Sequence, residues 1–140
     1  TRRVEISRSA SRTVPAARRP GLTIVDDVLV ERVLRAVELV PRGKVVTYGD
    51  IAELVGIGPR LVGRIMGTWG SGVPWWRVVN ASGDLPDVHL TRAHEEWVLE
   101  AIEIKPSGKG CRLRRHHADL ELLGQAWELA VAGLPAVPQK

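Results

Sequence analysis

A single cysteine in 140 residues excludes any disulfide within the chain. No apolar run approaches the roughly 20 residues needed to span a bilayer, and no apolar stretch of about 7 to 15 residues follows the N-terminal arginines as a secretory signal requires. A cytoplasmic location is therefore expected, nucleoid-associated if the source is bacterial. His89, His94, His116 and His117 show no spacing typical of a structural zinc site, and one cysteine leaves no zinc finger. No metal and no cofactor are expected. Internal repeats are also absent, and the length leaves room for one small domain with tails.

What is present is mildly basic. The 20 Lys and Arg against 16 Asp and Glu, with a sequence pI near 9.8, suit a polyanionic partner such as nucleic acid. Residues 1–24 hold Arg2, Arg3, Arg8, Arg12, Arg18 and Arg19 against Glu5 alone, a composition unable to bury much apolar surface. They are expected to form a disordered basic arm, either adding phosphate contacts or simply solvated. Residues 25–110 are expected to form the main domain, and 111–140 a basic segment followed by a helix.

From Asp26 the pattern becomes helical, with Val30, Val33, Leu34, Val37 and Val40 on one face, Asp26 or Asp27 as cap, and Pro41 with Gly43 as the stop. Thr47 and Asp50 have the spacing of a capping box that opens a second helix burying Ile51, Ala52, Leu54 and Val55. Gly56 stops it. Pro59 then suits the first position of a third helix, whose Val62, Ile65 and Met66 form an apolar stripe. Helix, glycine turn, helix is the outline of a helix-turn-helix. Arg77-Val78-Val79 before Asn80-Ala81-Ser82-Gly83 reads as a short strand entering a turn. Residues 91–104 suggest a further amphipathic helix carrying Trp97, Val98, Ala101 and Ile102. A last helix places Leu120, Leu123, Trp127 and Ala130 on one face and ends at Gly133.

The run Val73-Pro74-Trp75-Trp76-Arg77-Val78-Val79 resembles the Pro-Cys-His-Arg-Val motif of the DNA alkyltransferases that repair O6-alkylguanine. The segments Gly43–Gly56 and Pro59–Met66 are similar to that family's DNA-binding half and stand in the same order. With Trp75 where the family has its cysteine, the chain is more similar to the alkyltransferase-like branch, which binds alkylated DNA without transferring the alkyl group. That branch usually retains the histidine; here Trp76 stands in its place. Alkyl transfer requires a thiolate and a partner that lowers its pKa. An indole offers only an apolar face and one N–H donor.

The resemblance implies a mainly α fold with a small β component, a winged-helix-like helix-turn-helix domain used in the minor groove. It implies no catalytic residue and a lesion pocket at Tyr48, Trp75, Trp76 and Val78. Neighbouring side chains of an extended segment point to opposite faces, so one tryptophan is expected to line the pocket and the other to pack elsewhere, with Trp75 the better fit to the pocket. By the same resemblance Arg60 enters the base stack and fills the space left by the extruded nucleotide, and Thr47, Arg60, Arg64, Arg77 and Asn80 contact DNA. For Arg77 and Asn80 a role in bracing the pocket loop stands beside that reading. Cys111, flanked by arginines, is the alternative acceptor of an alkyl group or a plain unreactive thiol. The basic run from Arg112 to His117 either touches phosphate or is a solvated face.

The function expected is that of a monomeric, non-enzymatic sensor of double-stranded DNA containing O6-alkylguanine, which hands the lesion to nucleotide excision repair proteins and has no membrane partner. The alternative is a winged-helix regulator or architectural protein that kept the scaffold without lesion specificity.

Overall fold

The computed structural model describes residues 24–135; the basic arm expected over residues 1–24 lies almost wholly outside them. Helix α1 (Ile24–Glu38) begins before Asp26 and Asp27, so both expected caps lie inside the helix. Its expected stripe is the core: Val30, Val33, Leu34 and Val37 are buried, with Val40 beyond its end. Helix α2 (Tyr48–Val55) opens on the capping box read from sequence, the Thr47 hydroxyl accepting from the Asp50 amide and the Asp50 carboxylate from the Thr47 amide, both at 2.9 Å. Its last turn closes on Gly56 at φ +90°, where the amide reaches Ala52 O. A side chain there would strain that left-handed turn. Helix α3 (Pro59–Trp69) follows with Pro59 at its first position. Helices α1, α2 and α3 pack on one another as the helix-turn-helix.

The β component is two residues deep. Strands β1 (Val46–Thr47) and β2 (Val78–Val79) pair in parallel, Val46 with Val78 and Thr47 with Val79. Alternation of side chains along a strand sends Val46 and Val78 into one apolar cluster and Val45 and Val79 into another. The first cluster lies among α1, α2, α3 and the C-terminal helix. The second holds Leu85, Ala93, Trp97, Ile102 and Cys111, with Trp75 and Trp76 packed against it.

Two of these element readings need correction. The strand read over Arg77–Val79 begins only at Val78, because Trp75–Arg77 is a turn of 3-10 helix. The helix read over 91–104 is α4 (Asp87–Leu99). It ends in a Schellman motif: the Ile102 amide reaches Trp97 O, the Ala101 amide reaches Val98 O, and Ala101 takes φ +60°. Trp97 is fully buried but Val98 is 69 % exposed, and Ile102 returns to the core beyond the helix. In the basic run, Leu113–His116 forms a single helical turn, α5.

The last helix, α6 (Leu120–Ala130), stops three residues before Gly133. Its Leu123 and Trp127 are buried as expected, whereas Leu120 is exposed. Ala118, Leu123, Trp127 and Val131 join the first cluster, so residues 111–135 share the core of the preceding segment. The Trp127 indole donates to Arg32 O at 2.9 Å, and Arg35 Nη1 donates to Ala130 O at 2.6 Å. Among the described residues no helix is long and apolar enough to cross a membrane, and no cluster of His, Cys, Asp and Glu is placed to hold a metal ion.

Candidate nucleic-acid interface

A cavity of about 310 Å³ opens between the helix-turn-helix and the tryptophan turn. Helix α2 contributes Tyr48, and α3 contributes Gly63, Met66 and Gly67, continued by Gly70 and Ser71. Trp75 lies across from them, and Leu85, Pro86 and His89 complete the wall. Gly63 and Gly67 stand one turn apart, so α3 meets the cavity as backbone at two positions, with the Met66 side chain between them. A Cβ at Gly63 or Gly67 would meet nothing within 4 Å. Arg60 lies on the same face, one turn before Gly63, and Arg64 follows Gly63; both are exposed.

The tryptophan turn is set by Pro74. Its carbonyl accepts from the Arg77 amide at 3.1 Å, and the Trp75 amide bonds Val73 O at 2.7 Å. The indoles come from consecutive residues of this 3-10 turn, with centroids 5.6 Å apart and planes at 81°. Trp75 faces the cavity, 5.5 Å from the His89 ring. Trp76 does not line it. Its indole N–H donates to Glu100 Oε2 at 2.9 Å, and its carbonyl accepts from the Trp97 indole at 2.8 Å. Val78 is likewise absent from the cavity, fully buried in the first core cluster. Of the four residues expected around a pocket, the structure brings together Tyr48 and Trp75.

Arg77 is buried, not presented to a ligand. Its Nη2 and Nε bond Glu100 at 2.6 to 3.1 Å, and Nη1 donates to Val40 O at 2.9 Å. The Gly43 amide adds a bond to Glu100 Oε1 at 2.9 Å. Burial would push the Glu100 carboxyl up, but hydrogen bonds from Arg77, Gly43 and Trp76, with the Arg77 charge, outweigh it and hold the group below its usual range. This bracing reading of Arg77 is the one its geometry matches. Asn80 is exposed, and its Oδ1 accepts from the Ser82 and Asp84 amides at 2.8 and 2.9 Å, closing the turn after β2. Thr47, half-buried, is occupied as the cap of α2.

Sequence reasoning missed Glu100 and the glycines of the cavity wall. The glycine spacing was readable in Gly63, Gly67 and Gly70; no local signal marks Glu100, whose partners lie 23, 24 and 57 residues away. Tyr48 is partly buried, which pushes its phenol up and keeps it a neutral donor. Cys111 is fully buried, and that burial pushes its thiol up to about 11. The arginines that flank it in sequence do not activate it.

A helix-turn-helix whose second helix borders a base-sized cavity defines a class of nucleic-acid-binding domain. The model for the DNA binding domain of 6-O-methylguanine DNA methyltransferase matches residues 29–103, and the chain belongs to that family. It is similar to the DNA base-flipping protein of Vibrio parahaemolyticus, 36 % identical over an alignment of 91 residues that covers 61 % of this chain and 90 % of the relative. It is also similar to the DNA base-flipping protein of Escherichia coli, 36 % identical over 93 residues, 60 % of this chain and 70 % of the relative. Among solved structures it resembles S. pombe Atl1 in complex with damaged DNA containing O6-carboxymethylguanine. The TM-score is 0.59 at 31 % identity, covering 66 % of this chain and 96 % of Atl1.

Proposed function

We propose that this protein is a non-enzymatic sensor that binds duplex DNA containing O6-alkylguanine and turns the damaged nucleotide into the cavity against Trp75. The observation that carries this reading is the cavity itself, with an aromatic face on one side, the glycines of α3 on the other, and Arg60 on that same helix one turn away. Stacking of an extruded base on Trp75 contributes about 1–3 kcal/mol, comparable to the few kcal/mol that unstacking costs. A planar guanidinium such as Arg60 fills the vacated stack and donates to its neighbours. In this reading Tyr48 supplies a neutral hydroxyl beside the base, and the exposed Arg64, with the backbone at the start of α2 beside Thr47, contacts backbone phosphates. The likeness to S. pombe Atl1, solved with O6-carboxymethylguanine DNA, supports the lesion class.

In this reading Trp75 stands where the enzymes of the family carry the acceptor cysteine, and Trp76 where they carry histidine. Neither indole can accept an alkyl group as a thiolate does. The buried Cys111 thiol does not substitute for it. The lesion is therefore held, not repaired, and passed to other proteins, with nucleotide excision repair as the proposed recipient.

Fluorescence anisotropy on two duplexes identical but for one O6-methylguanine, at about 0.15 M salt, tests this. A preference of about tenfold or more, equivalent to about 1.4 kcal/mol, lost in Trp75→Ala and in Arg60→Ala, is the expected result. Equal binding to both duplexes would overturn it in favour of a regulator or architectural protein on the same scaffold.

A further inference from the structure

Although the whole chain is formally +4, the described residues hold thirteen Lys and Arg against fifteen Asp and Glu. The folded body is slightly acidic. Its cations are unevenly placed: Lys105, Lys109, Arg112, Arg114 and Arg115 fall within eleven consecutive residues. Four of them, with Ala81 and Ser82, line a groove of about 420 Å³. Glu103 pairs with Arg115 at 2.6 Å and approaches Arg112 at 3.7 Å, and Asp84 pairs with Lys105 at 2.5 Å. Two carboxylates cannot balance four cations, and Arg114 is exposed without a partner among the described residues.

The groove is tied to both flanks of the cavity. On one side Lys105 Nζ donates to Ser82 O at 2.9 Å, and the Cys111 amide to Gly83 O at 2.8 Å. Ser82 precedes the cavity residue Leu85 by three positions, which span at most about 10 Å of chain. At the other end His117 Nε2 lies 2.7 Å from Asp50 Oδ2, the acid of the capping box, two positions after the cavity residue Tyr48. Residues beyond 103 lie outside the span that matches the family.

We infer that this groove is a second surface for the phosphates of the duplex, holding the backbone that flanks the extruded nucleotide; the inference rests on the DNA-binding reading above. Phosphates follow one another every 3.4 Å or so along each strand axis, so a groove within about 10 Å of the cavity wall lies within reach of the phosphates next to the extruded nucleotide. Guanidinium groups meet phosphate oxygens through paired hydrogen bonds and displace condensed counterions. The contact adds affinity without reading the lesion.

The test is the Arg114→Ala/Arg115→Ala variant of the full chain, titrated on the lesion and undamaged duplexes between about 0.05 and 0.2 M salt. The expected result is a slope of log K against log salt shallower by roughly two. Both duplexes should weaken by the same factor, tenfold or more at the low-salt end, with lesion preference unchanged and Arg→Lys at both positions restoring the slope. An unchanged slope, or a loss confined to the lesion duplex, overturns the inference. If the unaltered chain shows no lesion preference, the sensor reading fails instead, and the slope comparison still decides whether the groove binds phosphate. Thermal melting of each variant checks that both arginines were removed from an intact fold.

Discussion

Trp76 and Glu100 are joined by a 2.9 Å hydrogen bond from indole to carboxylate, so the second tryptophan of the motif is anchored to the end of α4, away from the cavity. The adjacent Arg77 holds the same carboxylate. The turn carrying Trp75 is thus fixed from behind, and the cavity wall needs no ligand to shape it.

Trp76→Phe keeps an aromatic ring but leaves Glu100 one donor short. Stability in urea should fall by about 1–2 kcal/mol, while preference for the lesion duplex stays within about twofold of the unaltered chain. Trp75→Ala should show the opposite pattern, with lesion preference lost. A Trp76→Phe variant that binds both duplexes equally would place Trp76 in recognition after all.

Glu100 makes stability depend on acid. Its folded pKa lies below the usual 4.5, so its contribution is present above that value and is lost as pH falls through the lower folded pKa. Urea midpoints measured from about pH 7 down to about pH 3 should drop at the acid end. Glu100→Gln should flatten that drop, and at neutral pH it should cost about 3–5 kcal/mol because the buried Arg77 charge loses its partner. An acid limb that is equally steep in the variant would assign it to other carboxylates.

Cys111 should be inert while the protein is folded. With the thiol pushed up to about 11 and no exposed surface, a thiol reagent at pH near 8 should label it slowly, and quickly once denaturant is added. Intact mass after incubation with O6-methylguanine DNA should be unchanged. An alkyl adduct on Cys111 would revive the transfer chemistry that its burial argues against.

Ala101 occupies a left-handed position that glycine adopts without a Cβ penalty. Ala101→Gly should therefore raise stability by about 1 kcal/mol, read as an increased melting temperature. A decrease would mean that the turn after α4 is held by something other than its Schellman bonds.

Gly67→Leu projects a side chain from the glycine wall with no neighbour to displace within 4 Å of its Cβ. The fold should survive, lesion preference should collapse, and salt-sensitive binding to undamaged duplex should remain. Undiminished lesion preference would move the extruded base out of this cavity.

Helices α1, α2 and α3 were legible because their signals are local: the Val30 to Val37 spacing, the Thr47–Asp50 box, and Pro59 after Gly56. Helix α4 was misplaced because Pro86, at its start, makes no side-chain cap, and because Val98 and Ala101 are apolar yet exposed. Trp75 was assigned to the cavity from its place in the motif. Trp76 required knowing that the chain turns at Pro74 and that an acid 24 residues on waits for its N–H. Such a pairing is set by tertiary packing and leaves no periodic trace.

The partition of charge gives the molecule an orientation before it touches anything. Helices α1 and α6 carry a surplus of carboxylates in sequence, whereas Arg60, Arg64 and the 105–115 stretch supply concentrated positive charge. In the field of a polyanion such a body experiences a torque as well as an attraction, and encounters presenting the acidic helices are repelled. The protein would thus search DNA already turned to face it, with the cavity leading and little time lost to wrong-way collisions.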